Sequence, residues 1–143
     1  MKKAMLVFAA VFLGFIPACK NLKTTTDMKA VSHLNGTWVL NYISGPRIAF
    51  DGLYPDKKPE ITFDLSGKKV SGNTGCNNFN GGFTAHNNTI DLKGPFAMTR
   101  MMCEGQGESL FIETLKKVNT FDADESTLTL IMGDIAVMRF IKK

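Results

Sequence analysis

Histidine is scarce in this 143-residue chain: His33 and His86 are the only two, far apart in sequence. A zinc centre needs several converging ligands, and a catalytic nucleophile needs a base held by a third group. A Cys76–His86 pair would have nothing to orient it, and the carboxylates are dispersed. Long apolar runs are also missing. The longest, residues 4–16, falls short of the roughly 20 residues that a membrane-spanning helix requires. Charge of one sign is not concentrated either. The chain has 17 Lys+Arg against 13 Asp+Glu, and Lys57-Lys58, Lys68-Lys69, Lys116-Lys117 and Lys142-Lys143 are separate pairs. Scattered pairs read as solvated surface, so no nucleic-acid partner is expected. There is no low-complexity tract and no internal repeat beyond a loose rhythm of short strands. No cofactor, metal or catalytic set is expected.

What is present begins at the N-terminus. Lys2 and Lys3 precede the apolar run, which closes on Ile16-Pro17-Ala18-Cys19. A short positive segment followed by a short apolar one has the organisation of an export signal. The four residues ending at Cys19 resemble a bacterial lipobox. That resemblance implies cleavage after Ala18 and lipidation of Cys19, and hence a membrane partner reached through a lipid anchor. The alternative is an ordinary secretory signal that leaves Cys19 as a free thiol. Similarity to other lipoproteins makes Lys20, where an acidic residue would favour inner-membrane retention, a pointer to the outer membrane. The lack of an acidic cluster after Cys19 points to its periplasmic face. Residues 1–18 are thus read as signal peptide, 19–32 as lipidated cysteine and polar tether, and 33–143 as one domain. A flexible tether of about 13 residues would hold that domain near 20 Å from its anchor. Without the signal, 125 residues remain, carrying 15 basic and 13 acidic side chains, a net charge of +2. That length suits one domain with a sizeable core.

With Cys19 assigned to lipid, Cys76 and Cys103 remain as a pair in an oxidising compartment, where disulfides persist. A bridge would close a loop of about 28 residues, for which loop entropy gives roughly 3.5 kcal/mol. Two buried thiols or a catalytic cysteine are the other readings of the same pair.

From Leu34 onward the pattern is of short strands. Residues 37–43 alternate, with Trp38, Leu40 and Tyr42 expected on one face and Val39 and Ile43 on the other. Residues 60–65 alternate through Ile61, Phe63 and Leu65, and Ser66-Gly67 predicts a hairpin to residues 68–72. Residues 81–85, 89–92 and 96–101 are shorter candidates, and 47–51 offers another short strand. Residues 120–123, 127–132 and 135–141 read as a meander. One stretch has a helical period: Phe111, Leu115 and Val118 recur on one face of 108–118, with Glu108 in the first turn and lysines in the last, as the helix dipole favours. These elements predict a mostly β, α+β fold of about eight strands and one helix, arranged as a small antiparallel, partly closed barrel or curved sheet.

The densest constellation is residues 72–82, which hold four glycines and four asparagines. This composition predicts a tight loop tied down by Cys76, with exposed amides as a possible cradle for a polar ligand. It is not a phosphate loop, because the lysine and hydroxyl that should follow the last glycine are missing. Trp38, alternating with Leu40, reads as core. Met98, Met101, Met102 and Cys103 form a soft-donor cluster, better explained as adaptable core packing than as a copper site.

Five motifs occur in order: Leu34, Gly36, Trp38 and Leu40; Gly72, Gly75, Cys76, Asn77 and Gly81; Thr99, Met101 and Cys103; Glu108, Phe111 and Leu115; Leu128 and Leu130. Their order and spacing resemble the META/HslJ-like domain from about residue 34 to 140. The resemblance implies a compact β-rich domain of bacterial envelope or secreted proteins, loosely associated with stress tolerance and virulence, with no enzymatic activity and no settled ligand. Phe83 departs from a common tyrosine, losing a hydroxyl. Met102 replaces a small residue, adding volume beside Cys103.

The functional expectation is a non-catalytic, lipid-anchored envelope protein contacting an unidentified envelope protein or polymer. One alternative is a carrier whose apolar cavity is lined by Phe50, Phe63, Phe79, Phe83, Phe96 and Phe111. Another is a binder using residues 47–59 with Tyr54 as its anchor.

Overall fold

The computed structural model describes residues 30–143. The signal, Cys19 and most of the tether lie outside the described residues. Among those described, ten strands form one antiparallel sheet that curls into a half-barrel: β1 (Gly36–Ile43), β2 (Glu60–Asp64), β3 (Lys69–Asn73), β4 (Asn78–Gly82), β5 (Thr84–His86), β6 (Thr89–Asp91), β7 (Ala97–Met98), β8 (Thr120–Ala123), β9 (Thr127–Met132) and β10 (Ile135–Lys142). The order is β5-β6-β8-β9-β10-β1-β2-β3-β4-β7, so the first and last long strands are neighbours at the centre. Helix α1 (Phe50–Leu53) is a single turn, and α2 (Gly107–Lys117) covers the concave face with Phe111 and Leu115 fully buried. Residues 30–34 are also helical and bury Leu34.

The expected fold class is the observed one, and β2, β8, β9 and the main helix fall where the pattern places them. Four local expectations differ. First, the alternation in β1 breaks. A β-bulge opposite β10, between Leu40 and Tyr42, adds a residue and reverses the facing beyond it. Ile43 therefore turns into the core, and Tyr42 turns out with 43% exposure. Second, residues 47–51 form no strand; Phe50 and Asp51 belong to α1. Third, residues 81–85 split at Phe83, which turns into the core between β4 and β5. Fourth, much of the Gly/Asn-rich run is strand: Gly72 lies in β3 and Gly81 in β4, leaving 74–77 as the loop between them. Gly72 is in regular pairing, and it is a glycine because a Cβ there would meet the Glu60 carbonyl oxygen of β2 at 2.0 Å.

Among the described residues, most of the aromatic rings pack against one another in the core, with Phe83 and Phe96 also bordering surface clefts. Phe63 packs on Phe83 at 5.0 Å between ring centroids, Phe79 on Phe96 at 5.4 Å and on Phe111 at 5.8 Å, and Phe111 on Phe140 at 6.5 Å. These tilted and edge-on contacts add to burial of the rings. The packing removes the feature that motivated the carrier reading. Trp38 is fully buried, as expected, and its Nε1 donates to the Leu34 carbonyl at 2.9 Å. The Lys142 ammonium sits 4.1 Å from the centre of the Trp38 ring and donates to the carbonyls of His33 and Asn35. Burial lowers the pKa of Lys142. The C-terminal strand thus caps the carbonyl end of helical residues 30–34 with a cation, where the helix dipole favours one.

Candidate functional site

The densest polar cluster lies at the tip of the β3–β4 hairpin. Asn73 and Asn78 pair across the strands, and the Asn73 amide donates to Asn78 Oδ1 at 2.8 Å. Asn73 Oδ1 accepts from the Gly75 N–H at 2.9 Å, an Asx turn that starts the reversal. Gly75 completes it at φ +94°, and a Cβ there would meet both the Lys57 carbonyl and the Tyr54 ring at 2.9 Å. The Thr74 N–H donates to the Asn77 carbonyl at 2.8 Å, and Thr74 Oγ1 accepts from the Asn77 N–H at 3.0 Å.

Two other segments are drawn onto this tip. Cys76 is bridged to Cys103, with Cα atoms 6.0 Å apart. Asn77, only 1% exposed, reaches the same strap through its side chain. Its Oδ1 accepts from Thr99 Oγ1 and the Met101 N–H, both at 2.8 Å. Its amide lies 3.0 Å from the Met101 carbonyl, 3.0 Å from Cys103 Sγ, 3.2 Å from Glu108 Oε1 and 3.9 Å from Cys76 Sγ, so two N–H groups are shared among four acceptors. The third element is the first turn of α2. Thr74 Oγ1 donates to Glu108 Oε2 at 2.7 Å, and the Asn77 N–H donates to the same oxygen at 3.2 Å. Beneath them, the Tyr54 hydroxyl donates to the Gly107 carbonyl at 2.9 Å, and burial pushes its pKa up to about 12. Tyr54 is 5% exposed, which corrects its expected role as a surface anchor: it is a strut under the site.

The cluster walls a cleft of about 240 Å³ lined by Tyr54, Thr74, Cys76, Met102, Cys103 and Glu108, among others. Asn77, Thr99, Met101 and Glu108 border a second, open cleft of about 620 Å³ on its other side. Chemically, the cluster is a closed exchange of hydrogen bonds. Of its two buried hydroxyls, Thr74 faces a carboxylate and Tyr54 a backbone carbonyl, and neither faces a histidine. His33 is in helical residues 30–34 and His86 is in β5, at one end of the strand order, whereas β4 pairs with β7 at the other. Among the described residues, no buried side-chain nitrogen or oxygen lacks a partner.

Of the residues singled out in the sequence, Gly75, Cys76, Asn77, Thr99, Met101 and Cys103 do converge here, while Gly72 stays in the β3 pairing behind them. Gly81 lies in β4 beneath the Phe96 ring. Gly36 and Trp38 belong to β1, and Cys19 is outside the described residues. Of the methionines expected to pack the core, only Met98 does: Met101 is 60% exposed and Met102 fully exposed, so the extra volume of Met102 meets solvent instead of Cys103's neighbours. Sequence reasoning missed Thr74 and Glu108 as partners of the loop. Glu108 was visible as an acid in a helix's first turn and as the head of one of the five motifs, with nothing to link it to the loop. One further arrangement was invisible: Cys76 Sγ, Cys103 Sγ and a Glu108 oxygen lie within 4.8 Å of one another.

A curled antiparallel half-barrel, one covering helix and a disulfide-tied hairpin tip define a class of small β-rich domain. The META domain family matches residues 30–143, and the chain belongs to that family. Three solved structures are similar. One, described only as an NMR structure, is 26% identical with a TM-score of 0.56, covering 78% of this chain and 93% of its own. A protein from Burkholderia xenovorans, also solved by NMR, is 18% identical with a TM-score of 0.62 and covers 100% and 99%. A DUF4847 family protein from Bacteroides vulgatus is 16% identical with a TM-score of 0.53 and covers 78% and 94%. The last two speak to the fold alone. No curated protein matches the chain.

Proposed function

We propose that this META-domain protein is a non-catalytic binding module, carried on the periplasmic face of the outer membrane by a lipid on Cys19, where it contacts an envelope protein or polymer. The observation that carries the non-catalytic reading is the self-satisfied cluster at the hairpin tip. Its hydroxyl, amide and carboxylate are committed to one another, and no base stands over a nucleophile. The anchoring reading rests on the sequence ending at Cys19. Among the described residues no helix is long and apolar enough to cross a membrane, so attachment through Cys19 would come from outside the folded domain.

The test is a fatty-acid-labelling experiment in a bacterial host, followed by membrane fractionation and cross-linking. The full chain should take up label and sediment with outer membrane, and Cys19→Ala should lose both. Cross-linking should then capture a discrete envelope component that the Cys19→Ala protein captures less. Label on the Cys19→Ala protein would sink the anchor. Turnover of any substrate abolished by Cys76→Ala or Thr74→Val alone, in a protein that still folds, would sink the non-catalytic reading.

A further inference from the structure

The arrangement of Cys76, Cys103 and Glu108 goes beyond a binding module held by a bridge. We infer that these three residues form a latent site for a soft divalent cation such as Zn²⁺, closed while the disulfide exists and opened by its reduction. Both sulfurs and a carboxylate oxygen already lie within 4.8 Å of one another. Thiolates and a carboxylate are ligands that zinc accepts, at about 2.3 Å for sulfur and about 2.0–2.2 Å for oxygen.

Three features fit this use. Glu108 is held by the Thr74 hydroxyl and the Asn77 N–H on Oε2, and by the Asn77 amide on Oε1. An oxygen that accepts one hydrogen bond retains a lone pair, so Oε1 can coordinate without breaking the network that orients it. The Asn77 amide, 3.0 Å from Cys103 Sγ, offers a hydrogen bond that favours a thiolate there. Finally, both cysteines and Glu108 line the cleft of about 240 Å³, so an ion can enter and water can take the fourth position. In a tetrahedral site the sulfurs would stand about 3.8 Å apart, which follows from the zinc–sulfur distance. Side-chain rotation can reach that across a Cα separation of 6.0 Å.

The chemistry balances in two steps. A dithiol reductant transfers two electrons and two protons to the bridge, breaking the S–S bond, giving two cysteine thiols and leaving the reductant as its own disulfide. Binding of Zn²⁺ then displaces the two thiol protons to solvent. The same two sulfurs cannot be bridged and coordinate as a pair of thiolates, so cation affinity reports the redox state of the domain.

The experiment is an anaerobic Zn²⁺ titration of the full chain, oxidised and reduced, against a chromophoric chelator, with Co²⁺ as spectroscopic probe. The reduced protein is expected to bind one Zn²⁺ per chain at least 100-fold more tightly than the oxidised protein, a difference of about 2.7 kcal/mol. It should release about two protons per ion and show thiolate-to-cobalt charge-transfer absorption. Cys103→Ser should remove the tight binding, and Glu108→Gln should weaken it by about 10-fold or more, the scale seen when a zinc site loses an orienting or ligating group. Circular dichroism establishes that each variant is folded. If Glu108→Gln is not, Glu108→Asp replaces it, and the comparison of oxidised with reduced wild type needs no variant. Equal affinity in the two redox states would overturn the proposal. So would undiminished binding by a folded Glu108 variant, which would leave the two cysteines binding without the carboxylate.

Discussion

On the concave wall built by β1, β9 and β10, Trp38, Leu40, Leu128, Leu130, Met138 and Phe140 are all fully buried, and among their side chains only the Trp38 indole makes a hydrogen bond. At the tip of the β3–β4 hairpin, Thr74 and Asn77 are each 1% exposed, and their side chains engage partners on three segments. The two regions are equally buried and are held by different physics. The wall depends on volume: its residues fit because apolar surface is removed from water and the space is filled. The tip depends on membership: each polar atom is inexpensive to bury only while its partner is present. A wall of this kind suits a scaffold. A tip of this kind fixes one geometry, here the approach of Cys76, Cys103 and Glu108.

This contrast can be broken or sharpened by substitution. The largest effect belongs to the wall. Trp38→Ala removes a fully buried ring, the donor to Leu34 and the surface over which Lys142 sits, and should cost about 3–5 kcal/mol in denaturant unfolding. Removing the bridge by Cys76→Ala with Cys103→Ala should cost about 2–4 kcal/mol, because it frees a loop of 27 residues' separation in the unfolded chain. If the double variant costs less than a single buried hydrogen bond, the tip holds itself without the disulfide. Asn77→Ala removes the acceptor of the Met101 N–H and one hydrogen bond each from Thr99 and Glu108, and should cost about 1–3 kcal/mol. Thr99→Val should then cost less in the Asn77→Ala background than in the wild type, because only the bond that Thr99 Oγ1 accepts from the Asn78 N–H is left to lose, a coupling the wall would not show between distant residues.

The smallest effect is a pH dependence. Tyr54 ionises near 10 when exposed and at about 12 in the fold, so the folded state holds its proton where the unfolded state has lost it. Its contribution is complete below about pH 10 and disappears as pH rises toward 12. Tyr54→Phe should lose about 1 kcal/mol at neutral pH with the bond to Gly107. It should also flatten this alkaline decline in thermal melts recorded across that range.

The apolar core was more legible in the sequence than the tip. Ile61 and Phe63 in β2 announce their facing by simple alternation, and Phe111, Leu115 and Val118 announce a helix face, because periodicity is a local property. The bulge in β1 defeats that rule, since one added residue reverses Tyr42 and Ile43 without leaving a mark in composition. Gly72 misleads differently: its glycine answers the Glu60 carbonyl on a neighbouring strand, not a turn, and no local pattern contains that neighbour. The site was half legible. Cys76 and Cys103 paired by counting, but Glu108 reached the loop only through the packing of α2, 31 residues from Asn77. Met102, which looked like added core volume beside Cys103, stands fully in solvent, because the strap carrying it runs over the surface.

The measurement that tests this account most directly is native-state hydrogen exchange on the oxidised and the reduced protein in the absence of metal. The account predicts that reduction raises exchange at residues 73–78, 99–103 and the first turn of α2, while β1, β9 and β10 keep their protection relative to global unfolding. Loss of protection spread evenly over the wall and the tip would contradict it, because wall and tip would then be a single cooperative unit that the bridge holds as a whole.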